Sequence, residues 1–172
     1  MNQAATSDPL VATRDVPSQV LTFSLGEEHF GVDILRVKEI RGWTPVTKIP
    51  QVPPHVLGVL NLRGSIVPIV DLRVRFGLAH AEFTPLTVII VLTVNVGDTQ
   101  REFGLVVDGV SDVVNIAAEN LKDTPSLGSA AAAACIRGLA VVAERMLILL
   151  DVDTLIERDA EQIRIPPLAG AA

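Results

Sequence analysis

Three histidines, one cysteine and a scatter of aspartates are the residues with which this chain could do chemistry. A zinc site needs His or Cys donors at short, regular spacings. His29, His55 and His80 stand far apart with no H-x-x-H pair among them, so they read as surface or strand-end residues. Cys135 has no histidine beside it and follows a run of alanines. It reads as a small buried or half-buried side chain and not as a nucleophile. Asp33, Asp71, Asp108 and Asp151 could be taken for catalytic carboxylates, but each falls at a turn or a helix start. Capping of backbone N–H groups explains an aspartate there. Neither G-x-G-x-x-G nor a Walker A pattern occurs. No catalysis, no metal and no cofactor is expected; the chemistry that remains is recognition.

The elements that would position such a surface are strands. The chain has 172 residues, 49% hydrophobic but only 3% aromatic, with no Tyr. The core must therefore be Val, Ile and Leu, and β-branched side chains suit a pleated sheet. A net charge of −6 argues against general nucleic-acid binding, which needs Lys and Arg, although a local basic patch stays open. One cysteine excludes an intrachain disulfide and fits a reducing compartment. The apolar stretch Leu86 to Val96 is broken by Thr and Asn and suits a strand better than a membrane span. A soluble, cytoplasmic protein is expected.

Residues 1–19 lack periodicity and read as a disordered arm, 20–158 as the folded unit, and 159–172 as a tail. Val20–Leu25 and His29–Asp33 form a hairpin around Gly26-Glu27-Glu28. Ile34–Ile40 reads as a helical turn running into a strand. The proline-rich stretch Gly42–Pro54 is a surface connection. Gly58–Leu78 follows, with a tight polar turn (Asn61-Leu62-Arg63-Gly64), the apolar strand Ser65–Val70 and a short helix opened by Asp71. Further strands are predicted over Leu86–Val96, Glu102–Asp108, Val110–Ile116, Leu139–Val142 and Met146–Leu150, then a last helix after Asp151. Ala117–Leu127 is a loop with one helical turn, and Ala130–Ala134 a single turn at most. Arg73 and Arg75 are expected on a solvated face, with Leu72 and Phe76 buried beneath them.

Two sets of segments superpose without gaps, which points to two similar β units in tandem. Phe30-Gly31-Val32 answers Phe103-Gly104-Leu105, and Val37-Lys38-Glu39-Ile40 answers Val110-Ser111-Asp112-Val113. Gly58 answers Gly138, Ile66–Val70 answers Met146–Leu150, and Asp71 answers Asp151. Small closed barrels would hide the edges of such apolar strands. The copies differ most where Asn61-Leu62-Arg63-Gly64 meets Val141-Val142-Ala143-Glu144. A common scaffold does not require Arg63. Its guanidinium is a fixed fork of donors suited to a carboxylate or a carbonyl. Arg63 is thus the leading binding residue, with Glu39 its ion-pair partner or a second contact.

Asn61-Leu62-Arg63-Gly64 followed by Ile66-Val67-Pro68-Ile69-Val70-Asp71-Leu72-Arg73 resembles the CheW family of bacterial chemotaxis coupling proteins. Phe30–Leu35, Glu39-Ile40-Arg41-Gly42, Val106–Val113 and Arg145–Leu149 agree in order and spacing. The resemblance implies an all-β fold of two small five-stranded SH3-like barrels packed together, with short helical turns. It implies a non-catalytic adaptor that couples chemoreceptors (methyl-accepting chemotaxis proteins) to the regulatory domain of the histidine kinase CheA in an array beneath the membrane. By matching position it places receptor contacts at Val37, Glu39, Arg63 and Val113, and receptor or kinase contact or support at Gly58, Val88 and Gly104. An apolar groove between the two units would take a receptor helix. A coupling protein of another chemosensory pathway is the close alternative, and a small-barrel ligand-binding module the distant one.

Overall fold

Among the described residues, alternating Val, Ile and Leu build eleven strands in two sheets. A computed structural model describes residues 16–78, 82–122 and 134–163. Most of the expected N-terminal arm and C-terminal tail, His80, and Ala130–Ala133 of the alanine run lie outside these residues. The strands are β1 (Gln19–Leu25), β2 (Glu28–Asp33), β3 (Val37–Gly42), β4 (Val56–Leu62), β5 (Ser65–Asp71) and β6 (Val88–Val96). They continue as β7 (Thr99–Val107), β8 (Gly109–Asn115), β9 (Leu121–Lys122), β10 (Ile136–Val142) and β11 (Arg145–Leu150). Helix α1 (Leu72–Arg75) follows β5 and helix α2 (Val152–Gln162) follows β11. Short 3-10 turns fill Ile34–Arg36 and Ala118–Asn120.

The first sheet runs β8-β1-β2-β11-β10-β9 and the second β3-β6-β7-β5-β4. The two orders are the same five-strand pattern written twice, with the two-residue β9 added to the first. The register repeats with it. Gly31 lies opposite Leu149 in the parallel β2–β11 pair, as Gly104 lies opposite Ile69 in the parallel β5–β7 pair. Both outer hairpins carry an irregularity just before their glycine, between Val56 and Gly58 and between Ile136 and Gly138. The duplication expected from the sequence is present, but the expected tandem arrangement is not. The chain leaves the first sheet after β2, builds β3 to β7 in the second, then returns with β8. Each unit therefore takes strands from both copies. Apolar periodicity says which residues face a core but not which distant strand lies alongside.

Three apolar clusters result. The second sheet wraps around Val67, Ile69, Ile89, Val91 and Val106, and the first around Val20, Ala140, Leu147 and Leu149. The largest lies between them, with Phe23, Phe30, Ile90, Leu92, Phe103 and Leu105 from the facing sheets. Helix α2 joins this central core through Leu155, Ile156 and Ala160, and Ile163 after it is buried too. The folded unit thus extends beyond residue 158, where the sequence reading ended it. The mixed composition of 157–163 hid a helix whose apolar stripe resumes one turn later.

Two polar latches hold the crossings between sheets. Arg73, expected on a solvated face, is 1% exposed. Its Nε and Nη2 donate to Asp71 Oδ1 and Oδ2 at 3.0 and 2.9 Å, and Nη1 donates to Asp108 Oδ1 at 3.3 Å. Asp108 Oδ2 in turn accepts from the Gly26 N–H at 2.6 Å, and Phe83 stacks under the guanidinium. A four-residue helix gave no face to read, so pairing with two carboxylates overrode the charge. At the corresponding place in the other copy, Arg36 Nη1 and Nη2 donate to Asp153 Oδ1 and Oδ2, both at 2.7 Å. Asp153 Oδ1 also accepts from the Asn95 N–H at 2.8 Å. This latch fixes the entry to β3.

Candidate functional site

The sequence places the polar turn on the β4–β5 hairpin, and its backbone follows from the hairpin's twist. Arg63 and Gly64 have φ of 54° and 90°. Two consecutive left-handed residues make a tight hairpin turn that matches strand twist, and Gly in the second place relieves it. Asn61 Oδ1 accepts from the Gly64 N–H at 2.9 Å and holds the turn closed.

This conformation projects Arg63 across to the opposite edge of the sheet. Arg63 Nη1 donates to Glu39 Oε1 on β3 at 2.8 Å. β3 and β4 are the two ends of the second sheet, so the pair spans the seam where the sheet curls on itself. The Thr47–Val59 bridge closes the same seam further along. The Arg63 side chain is 79% exposed and Glu39 22%. An ion pair that exposed stabilises a fold by about 0–1 kcal/mol, too little to account for a long side chain displayed at a tight turn. Arg41 Nη1 reaches the other carboxylate oxygen of Glu39 at 3.5 Å.

Strand β3 is bulged. Val37 pairs with Leu92 and Glu39 with Val91, leaving Lys38 as the extra residue. Residues opposite one another point to the same side of a ladder. Val37 and Ile40 therefore share the central-core side with Leu92 and Ile90, while Glu39 and Arg41 take the seam side with Val91 and Ile89. Strand β8 has the equivalent bulge, with Val110 opposite Phe23 and Val113 opposite Leu21. Val37 and Val110 pack on the central core. Ile40 and Val113, in matching positions, are 43% and 48% exposed.

Of the residues expected to meet a receptor, the structure thus joins Glu39 and Arg63 directly. Val37 is close in sequence to Glu39 but on the other side of the strand, and Val113 belongs to the other sheet. Ile40 and Arg41 also stand beside this pair, though neither was among the expected contacts; the repeat alignment had set Ile40 against Val113. Val88 opens β6, half-buried against the central core. Gly58 and Gly104 are internal. A Cβ at Gly58 would lie 2.1 Å from the Thr47 carbonyl oxygen, at a φ of 151° that favours glycine. A Cβ at Gly104 would lie 2.6 Å from Ile69 and 2.8 Å from Ile89. Both allow close packing of the strands that carry the site.

An apolar cavity of about 490 Å³ does lie between the units, lined by Phe30, Phe76, Cys135, Ile148 and Leu150. It includes none of the four expected receptor contacts, so the groove expected at those residues is not this cavity. Asp33, Asp71 and Asp151 accept from the N–H groups of Leu35, Arg73 and Thr154, as caps. His55 Nε2 meets Asp159 Oδ1 at 2.5 Å. Among the described residues no group of His, Cys, Asp and Glu could hold a metal ion, and no helix is long and apolar enough to cross a membrane.

In the latch behind β3, the hydrogen bond to Asp153 raises the Arg36 pKa above its usual value despite burial. Burial pushes the Asp153 carboxyl up, but the hydrogen bonds from Arg36 and the Asn95 N–H outweigh it and hold the carboxyl below the usual range. Both groups stay charged at neutral pH.

Fold and site together define an all-β recognition scaffold of two packed, interleaved units that presents an edge strand and a basic turn. The match to a family model narrows this class. Residues 19–160 match the CheW-like domain, and the chain belongs to that family. It is 45% identical over 149 residues to the chemotaxis protein CheW of Klebsiella aerogenes, covering 87% of each protein. It is 40% identical over 145 residues to that of Rhizobium meliloti, covering 83% of this chain and 91% of the relative. The crystal structure of the scaffolding protein TtCheW from Thermoanaerobacter tengcongensis superposes with a TM-score of 0.75 at 30% identity, covering 88% of this chain and all of that one.

Proposed function

We propose that this chain is a non-catalytic chemotaxis adaptor that couples chemoreceptors to the regulatory domain of the histidine kinase CheA. The single observation that carries the reading is Arg63, held on Glu39 at 2.8 Å yet 79% exposed, in a chain of the CheW-like family. The cytoplasmic tip of a receptor docks along β3 and β8. Val37 and Val113 supply apolar area, while Arg63 and the Glu39 that holds it set register and exclude wrong partners. Val88, Gly58 and Gly104 support the strands behind this surface. The adaptor works in the cytoplasm, recruited to receptor clusters at the membrane.

The test is co-sedimentation with a soluble receptor-tip fragment and, separately, with the CheA regulatory domain. Arg63→Ala and Val37→Ala are expected to weaken receptor binding by about tenfold and to leave the melting curve nearly unchanged for Arg63→Ala. Undiminished receptor binding by both variants sinks the assignment.

A further inference from the structure

The polar seam beside β3 carries more positive charge than it neutralises. Among the described residues, Glu39 is the one carboxylate in ion-pair reach of both Arg63, at 2.8 Å, and Arg41, at 3.5 Å. Lys38 is matched separately by Glu102 at 2.9 Å. Two guanidiniums therefore share a single carboxylate, on a chain whose net charge is −6. The sharing is uneven. The Arg41 contact is long for a hydrogen bond between charged groups, and Arg41 Nε is a buried donor with no partner among the described residues. An unmade hydrogen bond from a guanidinium is costly in a folded protein. The Arg41 side chain is still 36% exposed, so its outer edge can be reached.

The neighbouring position adds direction. Ile40 lies between Glu39 and Arg41 on the opposite side of the strand and is 43% exposed. β3 is an end strand of its sheet. A partner lying along this edge strand meets Ile40 on one side and the exposed part of Arg41 on the other. The equivalent edge in the other unit has no such arrangement. Glu39 is replaced there by Asp112, Arg41 by Val114, and Arg63 by Ala143, around a small cavity of about 190 Å³. The two-cation seam is thus a property of one unit and not of the shared fold.

We propose that the Arg41–Glu39–Arg63 seam is a receptor for a carboxylate, so that the partner presents an Asp or Glu side chain between the two guanidiniums. Arg41 is a contact residue that sets specificity. Glu39 is a positioning residue: it holds Arg63 in reach and yields one side of the shared charge when the partner's carboxylate arrives. The inference rests on the docking surface proposed above and adds the partner's chemistry.

The experiment measures binding of a soluble receptor-tip fragment by calorimetry at several salt concentrations. Each acidic side chain of the tip is replaced in turn by its amide. Arg41→Gln is expected to weaken binding by roughly five- to tenfold and to flatten the salt dependence. Arg41→Lys is expected to restore most of the salt dependence but not the full affinity, because an ammonium lacks the guanidinium fork. The loss on Arg41→Gln should disappear in one tip variant, which identifies the carboxylate. Glu39→Gln leaves that coupling in place and steepens the salt dependence; a Glu39 that meets a cation of the partner would flatten it. Unchanged affinity and salt slope for Arg41→Gln overturn the inference, as does a tip in which no acidic residue affects wild-type binding, which needs no variant of this chain. Arg63→Ala separates the two failures. If it weakens binding while Arg41→Gln does not, only the carboxylate receptor is lost; if Arg63→Ala and Val37→Ala both bind normally, the docking surface itself is wrong.

Discussion

The hairpin turn at Asn61–Gly64 and the one at Val141–Glu144 have the same backbone and different side chains. In both, the two central residues are left-handed: Arg63 and Gly64 at φ of 54° and 90°, Ala143 and Glu144 at 52° and 64°. The conformation belongs to the scaffold, which needs a tight hairpin at the outer end of each unit. It is therefore not strain reserved for function at Arg63. What differs is the use made of it. The first turn sends a guanidinium to Glu39 across the seam. The second opens onto a small cavity beside Asp112 and Arg145, and neither of these forms an ion pair among the described residues. One turn displays a guanidinium paired across the seam and the other displays none. The latches show the same lesson with charge inverted. The position after the N-cap turn holds Arg73 in one copy and Asp153 in the other, and each finds its opposite charge on the crossing segment.

The largest effect is expected from breaking the buried latch. Arg73→Ala leaves Asp71 and Asp108 without their cation, and Asp71 is 1% exposed. Removing one partner of a buried pair costs about 3–5 kcal/mol. A denaturant titration should show a midpoint shift of that size, or no cooperative transition. A loss under about 1 kcal/mol would mean that the two latches are equally superficial.

The part-buried latch of Arg36 and Asp153 is expected to matter less and to depend on pH. Asp153→Asn should cost roughly 1–2 kcal/mol at neutral pH, since the carboxylate accepts charged and backbone donors but is partly screened. The sign follows from linkage. The folded-state pKa of Asp153 lies below its ordinary value, so its contribution is complete above the ordinary carboxylate range. It is lost as pH falls through the depressed folded value. The difference between wild type and Asp153→Asn should therefore shrink on acidification. A difference that stays constant as pH falls from neutral through the ordinary carboxylate range and into strong acid would break the ion-pair account.

These latches also mark where the sequence stopped being informative. The strands were legible because Val, Ile and Leu alternate, and the hairpins because turn residues separate them. The aspartate caps at Asp33, Asp71 and Asp151 were legible from position alone. The duplication was legible because Gly31 and Gly104 serve the same close packing. The interleaving of the copies was not, since parallel pairing of β2 with β11 joins residues from opposite ends of the chain. Arg73 was misjudged because a four-residue helix carries no periodicity, Asp71 was read only as a cap, and the second carboxylate, Asp108, is distant in sequence. At the site, Arg63 and Glu39 could be named as a pair, but the bulge at Lys38 could not be seen. That bulge puts Val37 and Glu39 on different sides of one strand and brings Ile40 and Arg41 into view.

A smaller test addresses the turns themselves. Glu144→Gly gives the second turn the residue that the first has at Gly64. Relief of a left-handed non-glycine residue is offset by the entropy of the added glycine, so the expected gain is about 0.5–1 kcal/mol. Thermal melting would register it as a small rise in midpoint. A loss would show that the Glu144 side chain does something at this turn beyond tolerating its geometry.

The smallest effect is expected from grafting one turn's character onto the other. Ala143→Arg places a guanidinium at a φ of 52°, close to that of Arg63, with Asp112 at the position equivalent to Glu39. If the shared backbone alone aims the side chain, a new ion pair forms across the first unit's seam. Its coupling energy in a double-mutant cycle with Asp112→Asn should be about 0.3–0.5 kcal/mol, as for other exposed pairs. Zero coupling would mean that Asp112, one methylene shorter than Glu39, cannot reach, and that the seam in the second unit depends on its acid as much as on its arginine. Either measured value separates what the repeated scaffold provides from what the Arg63 turn adds.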